Sequence, residues 1–217
     1  MEETILSGRL AIGEKLPTER ELAEQMKISR TVVNSGISEM ARKGFLEVVP
    51  RKGVFIADYA RTGNLETLAS IMNYNGGRMD SRNYISILEG RIAIEVPSAR
   101  KAAEYRTEQD LKELAAIITA METVSDYVQA AELLFRFHHA ICLISKNTIY
   151  PLVFNAFKVP TLVFWENHCR RHGMPAVCAD LQELYGYIER QEAEQAGECI
   201  RRVVTQAMQE GVGGFNS

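Results

Sequence analysis

Arg30 carries the most specific chemistry in the chain. A guanidinium is a planar fork of donors that matches the O6 and N7 acceptors of guanine, a pairing worth about 1–3 kcal/mol of base discrimination. The hydroxyls of Ser29 and Thr31 flank it and suit phosphate oxygens, and Asn34 prefers adenine when it reads a base edge. A second basic group, Arg51-Lys52-Gly53, follows Pro50. Arg91 and Glu95 are spaced i, i+4, either as a salt bridge on one helix or with Arg91 available to a carboxylate or phosphate. His168 and His172 share that spacing, with Cys169 and Cys178 nearby, and these residue types suit a metal. With no fixed ligand spacing beyond that pair, the favoured reading is NHCRRH as a polar helix end meeting solvent. No nucleophile–base pair, phosphate-cradling glycine loop or paired catalytic carboxylates stand out, so no enzyme is expected.

Such groups need rigid elements to hold them. Pro17 blocks an upstream helix, and Thr18 and Glu21 have capping-box spacing, which predicts a helix over Thr18–Met26 with Leu22, Ala23 and Met26 on one face. After Lys27-Ile28, Ser29 is a good N-cap for a second helix over Arg30–Arg42. Its apolar residues Val33, Ile37 and Met40 fall at i, i+4 and i+7 and pack inward, turning Arg30, Thr31, Asn34 and Ser38 outward. Gly44 closes the helix as a left-handed cap. Phe45–Val49 and Val54–Ala57 follow as a strand pair joined by a basic turn, the layout of a winged helix.

From Thr67 the chain reads as helix after helix. The expected spans are Leu65–Tyr74, Arg82–Glu104, Thr107–Thr123, Ser125–Ser145, Ile149–Arg171 kinked or split at Pro160, Pro175–Gln191 and Ala193–Gln209. The stripes Ile85/Leu88/Ile92/Val96 and Leu134/His138/Ile141 call for an antiparallel helical bundle. The expected fold is therefore mostly α. A winged helix-turn-helix occupies residues 1–58, a polar linker 59–64, and an all-helical domain 65–217.

Composition sets bounds. With 217 residues, 46% hydrophobic and 24% charged, the chain can bury a real core, and no run approaches the roughly 20 apolar residues of a membrane span. MEETILSGRL has no basic segment leading into an apolar one, so no signal peptide is expected and the location expected is cytoplasmic. Cys142, Cys169, Cys178 and Cys199 form no Cys-x-x-Cys pair and are expected as reduced thiols. Net charge is −3, and residues 1–60 hold nine Lys/Arg against nine Asp/Glu. Any affinity for nucleic acid must then come from where the bases sit.

The segments LPTERELA, SRT, KGFLEV and RKGVFI stand in order between Gly8 and Ala57, and this stretch resembles the DNA-binding domain of the GntR family. From Leu65 to Gln209 the chain is similar to the FadR-type effector domain, through LEGR with Glu95 and FRFHHAICLISKN. The resemblance implies a homodimeric transcription regulator. It would bind double-stranded operator DNA through Arg20, Ser29, Arg30, Thr31 and Asn34, with Arg51, Lys52 and Gly53 as a wing. A small-molecule effector, an acyl-CoA or organic acid, would control that affinity through Arg91, Phe135, His138, Phe157 and Trp165. Two alternatives stand beside it: a winged helix that binds protein, and a metal-dependent sensor of the same family.

Four departures qualify the resemblance. Asn34 replaces a common second Arg, and Ser35 an acidic residue; an operator that differs from the family consensus at the Asn34 contact follows. The helix ahead of Gly8 normally starts further upstream. Many such domains hold a metal with an Asp and three His, but those positions fall on Leu134, His138, Leu181 and Val203, so no metal or other cofactor is expected there. TGNLETLASI is similar to the acyl-CoA-responsive branch, yet two of that branch's ligand tyrosines fall on Thr161 and His168, and a glycine falls on Met208.

Overall fold

A short helix, α1 (Glu2–Leu6), precedes the helix pair that the capping residues dictate. In the computed structural model, which describes residues 1–77 and 81–214, α2 spans Glu19–Met26 and α3 spans Arg30–Arg42. Thr18 and Glu21 exchange the two hydrogen bonds of a capping box, the Glu21 amide donating to Thr18 Oγ1 and the Thr18 amide to Glu21 Oε2. Those contacts with Thr18 hold the Glu21 carboxyl below its ordinary range. Ser29 Oγ accepts the Val32 amide at 3.3 Å and caps α3, worth about 1 kcal/mol. Val33, Ile37 and Met40 are buried with Leu22, Ala23, Phe45 and Ile56. Met26 is the exception on the predicted face of α2, being 51% exposed.

Lys43 ends α3, and Gly44 follows at φ +76°, the left-handed residue expected there. A Cβ at Gly44 would stand 3.1 Å from the Gly63 Cα, so both its dihedral and its space require glycine. Strands β1 (Leu46–Val49) and β2 (Gly53–Ile56) pair antiparallel from Leu46↔Ile56 to Val49↔Gly53. Lys15 bridges to Phe55 on the free edge of β2.

Helices α4 (Tyr59–Thr62) and α5 (Leu65–Asn73) follow. The expected linker thus contains a helical turn, and α5 packs with the first unit, which runs over Met1–Tyr74. The boundary observed is Tyr74/Asn75 where the sequence suggested a helical domain from residue 65. The cause is the C-terminal end of α3, whose last carbonyls have no partner within the helix. Asn64 Nδ2 donates to the Arg42 carbonyl at 2.9 Å, the Thr67 hydroxyl donates to the Lys43 carbonyl, and Arg42 pairs with Glu66. Asn64 also caps α5.

Among the described residues of the second unit, Asn75–Ser217, every regular element is helical. The unit contains α6 (Ser81–Tyr105), α7 (Glu108–Thr123), α8 (Tyr127–Ile144), α9 (Tyr150–Ala156), α10 (Lys158–His172), α11 (Met174–Glu189) and α12 (Ala193–Gly214). Helix α6 packs against α8, α9, α11 and α12, and α8 against α7, α9 and α10, around Leu88, Val96, Leu114, Leu134, Phe137, Trp165 and Ile188. The helix expected over Ile149–Arg171 is two helices that meet at Phe157. Pro160 has no N–H to bond back to Ala156, so the chain restarts with Pro160 in the first turn of α10. Among the described residues, no helix is long and apolar enough to cross a membrane.

Candidate nucleic-acid interface and effector cavity

Arg30 is the first residue of α3, and Ser29, Arg30, Thr31 and Asn34 are all exposed on the side away from the Val33/Ile37/Met40 core. The free N–H groups of a helix N-terminus point outward at this same place. Among the described residues, Arg30 has no hydrogen-bond or ion-pair partner. Asn34 does have one: its Nδ2 donates to Glu19 Oε1 at 3.0 Å, across to α2. Arg20 pairs with Glu24 at 3.0 Å on an exposed face, a contact worth only about 0.3–0.5 kcal/mol and easily exchanged for another anion.

The wing is built by the strand register. Arg51 and Lys52 are exposed at the turn between Val49 and Gly53, with Arg51 in the left-handed region at φ +64°. Gly53 is also at positive φ, and a Cβ there would meet the Lys15 Cε at 2.8 Å. Lys15 thus lies against the wing, an addition that sequence reading missed because the residue is remote from Arg51 and Lys52 along the chain. The bridge to Phe55 brings it there.

Local pairing resolves the charge balance of residues 1–60. Arg9, Arg20, Arg42 and Lys43 are matched with Glu3, Glu24, Glu66, and Glu2 with Glu39. Of the cations in that stretch, Lys15, Lys27, Arg30, Arg51 and Lys52 have no carboxylate partner among the described residues. Three of these, Lys15, Arg51 and Lys52, belong to the wing.

In the helical unit, Arg91 and Glu95 form a buried pair with side chains 0% and 2% exposed. Arg91 Nε donates to Glu95 Oε1 at 2.5 Å and Nη2 to Oε2 at 3.3 Å, so the guanidinium grips the carboxylate with two of its nitrogens. Its Cζ lies 4.7 Å from the Trp165 ring and 4.8 Å from the Phe164 ring. His138 Nδ1 is 2.7 Å from Glu95 Oε2, at ion-pair distance but outside hydrogen-bond alignment. Burial pushes the Glu95 carboxyl up, but Arg91 and His138 outweigh it and hold it down to about 2. Arg91 Nη1, Trp165 Nε1 and Thr161 Oγ1 are buried with no hydrogen-bond partner.

His138 and Trp165 line a cavity of about 20 Å³ together with Leu134, His168, Leu181 and Val203. That is room for a water molecule or two. Phe135 and Phe157 stand elsewhere. Phe135 stacks on Phe154 at 5.1 Å and lines an outward groove with Arg136 and Leu143, while the Phe157 ring fills the space beside Gly90. Three of the four positions where related domains hold a metal are aliphatic here, and all four line this cavity. One imidazole among Leu134, Leu181 and Val203 is no donor set for Zn²⁺ or Ni²⁺, so that metal does not fit. All four cysteines are free and buried, and burial pushes the Cys142 thiol up to about 12.

Comparison with known proteins agrees with both units. Residues 1–56 match the model of bacterial regulatory proteins of the gntR family, and residues 86–206 match the FCD domain. The HTH-type transcriptional regulator Mce2R of Mycobacterium tuberculosis is 28% identical over 162 residues, covering 73% of this chain and 67% of that protein. A fatty acid metabolism regulator protein of Edwardsiella ictaluri is 27% identical over 157 residues, covering 72% and 64%. Among solved structures, Lar, which controls the expression of the Listeria monocytogenes agr system, superposes with a TM-score of 0.65 at 17% identity, covering 97% and 92%; this is a likeness of fold. The chain belongs to the gntR family of bacterial regulatory proteins and is a DNA-binding transcription regulator whose winged helix is followed in the chain by an FCD domain.

Proposed function

We propose that two copies of this chain grip a pseudo-palindromic operator, each laying α3 in the major groove with Arg30 on a guanine. One observation carries this reading: Arg30 is an exposed, unpartnered guanidinium on the first turn of a helix whose opposite face is buried. Ser29, Thr31 and Arg20 hold phosphates, and Arg51, Lys52 and the Gly53 backbone, joined by Lys15, follow the DNA backbone from the wing. Asn34 reads adenine once it releases Glu19.

The effector is a small organic acid bound beside Arg91. Arg91 Nη1 and Trp165 Nε1 are buried without hydrogen-bond partners, and the guanidinium lies over the Trp165 ring that lines the cavity, an arrangement that suits a carboxylate. A cavity of about 20 Å³ must open to admit even a small acid, and it stands far from the volume of an acyl thioester. Binding there alters operator affinity by the coupling free energy between the two sites.

Selection of sites from random DNA at two salt concentrations tests the first part. The expected product is a two-fold-symmetric site with a guanine in each half and a steep loss of affinity with salt. A pool without a shared motif would end the operator reading. Thermal stabilisation by acyl-CoA, with none by small carboxylates, would end the effector assignment.

A further inference from the structure

Three side chains with metal-ligating atoms gather where α10 approaches α12: His168, His172 and Glu210. Taking one such atom from each, all lie within 4.8 Å of one another. The two imidazole rings are 4.4 Å apart centre to centre, and His172 Nε2 is 2.9 Å from Glu210 Oε2. We propose that these three residues bind a divalent transition-metal ion of the Zn²⁺ or Ni²⁺ kind, tying α10 to α12 beside the cavity that His168 lines.

The donor set carries the proposal. Two imidazoles and a carboxylate suit a borderline cation, whereas Ca²⁺ and Mg²⁺ prefer oxygen throughout. The i, i+4 spacing places both imidazoles on one side of α10. Bonds of about 2.0–2.1 Å to a tetrahedral ion separate its donors by roughly 3.4 Å, so the three atoms, within 4.8 Å of one another, must draw in to hold it. His168 is the most buried of the three and also lines the cavity, which shields one side of the cluster from solvent. Glu210 is held from behind by Gln206, whose Nε2 donates to Oε1 at 3.0 Å, the kind of outer contact that orients a ligand. Arg171, 3.5 Å from Glu210 Oε2, is half-exposed and gives way to a doubly charged ion.

This site is separate from the positions at which related domains hold a metal, three of which are aliphatic here and the fourth His138. Three protein ligands leave at least one coordination position for water or a small anion. The inference is independent of the operator and effector readings, so DNA binding would survive its failure.

The test is calorimetric titration of the metal-stripped full-length chain with Zn²⁺, with Co²⁺ absorption as a second readout. One ion per chain is expected. His172→Gln and Glu210→Gln should each weaken binding at least about 100-fold, since even outer-shell losses cost 10–100-fold. Far-ultraviolet melts establish that these variants fold, and His139→Gln should bind as the parent does. Absence of saturable binding would overturn the proposal, as would undiminished affinity in His172→Gln or Glu210→Gln.

Discussion

Replacing Arg30 by alanine isolates the base-reading step with little interference from folding. Arg30 is exposed on the first turn of α3 and makes no hydrogen bond or ion pair among the described residues. Its loss should therefore change stability by less than about 0.5 kcal/mol. A bidentate contact to guanine is worth about 1–3 kcal/mol, and the proposed dimer on a symmetric operator would lose it twice. The expected penalty is about 2–6 kcal/mol, or roughly 30-fold to 10⁴-fold in Kd. Fluorescence anisotropy with a selected operator measures the loss, and the same titration with that guanine pair replaced measures specificity. The variant should bind the two duplexes nearly alike, while the parent separates them. Equal affinity of parent and variant for the selected operator, at unchanged melting temperature, would refute the placement of α3 in the groove.

The wing and the buried pair give further expectations. Lys52→Ala should weaken binding to all sequences alike and reduce the slope of log K against log salt by about 2 per dimer, measured by anisotropy across a salt series. Glu95→Gln leaves the Arg91 charge buried without its counter-ion and should cost about 3–5 kcal/mol in urea melts. The double variant Arg91→Met with Glu95→Leu should recover most of that loss, because the desolvation cost leaves with the charges. Acid titration should reveal the same pair. The Glu95 carboxyl sits near 2 in the fold against 4.5 without the fold, so its contribution is fully present above about pH 4.5 and disappears as pH falls toward 2. That contribution is on the order of 3 kcal/mol, and it should be absent from the pH profile of the double variant.

Much of the DNA-facing unit was legible because it is written in local contacts. Thr18 with Glu21 and Ser29 ahead of Arg30 mark helix starts within four residues, and Val33, Ile37 and Met40 define the buried face of α3 by period alone. The exposure of Arg30 followed directly. Arg91 and Glu95, one turn apart, were equally readable as a pair.

What tertiary structure decided was always a meeting of distant segments. Lys15 joins the wing only because the chain before α2 bridges to β2, and α5 belongs with the first unit because Asn64 and Thr67 satisfy carbonyls at the end of α3. Phe135 and Phe157 were expected to share a cavity with His138 and Trp165 and do not line the one those two line, because an aromatic residue type predicts burial and not the neighbour against which it is buried. The size of that cavity, and the approach of Glu210 to a histidine 38 residues away, depend on how α10 and α12 pack. Capping and periodicity act over one or two turns of chain, so sequence alone places helices and their faces. Close packing acts between whichever surfaces meet, so the contents of a cavity or a ligand cluster emerge only once the helices are assembled.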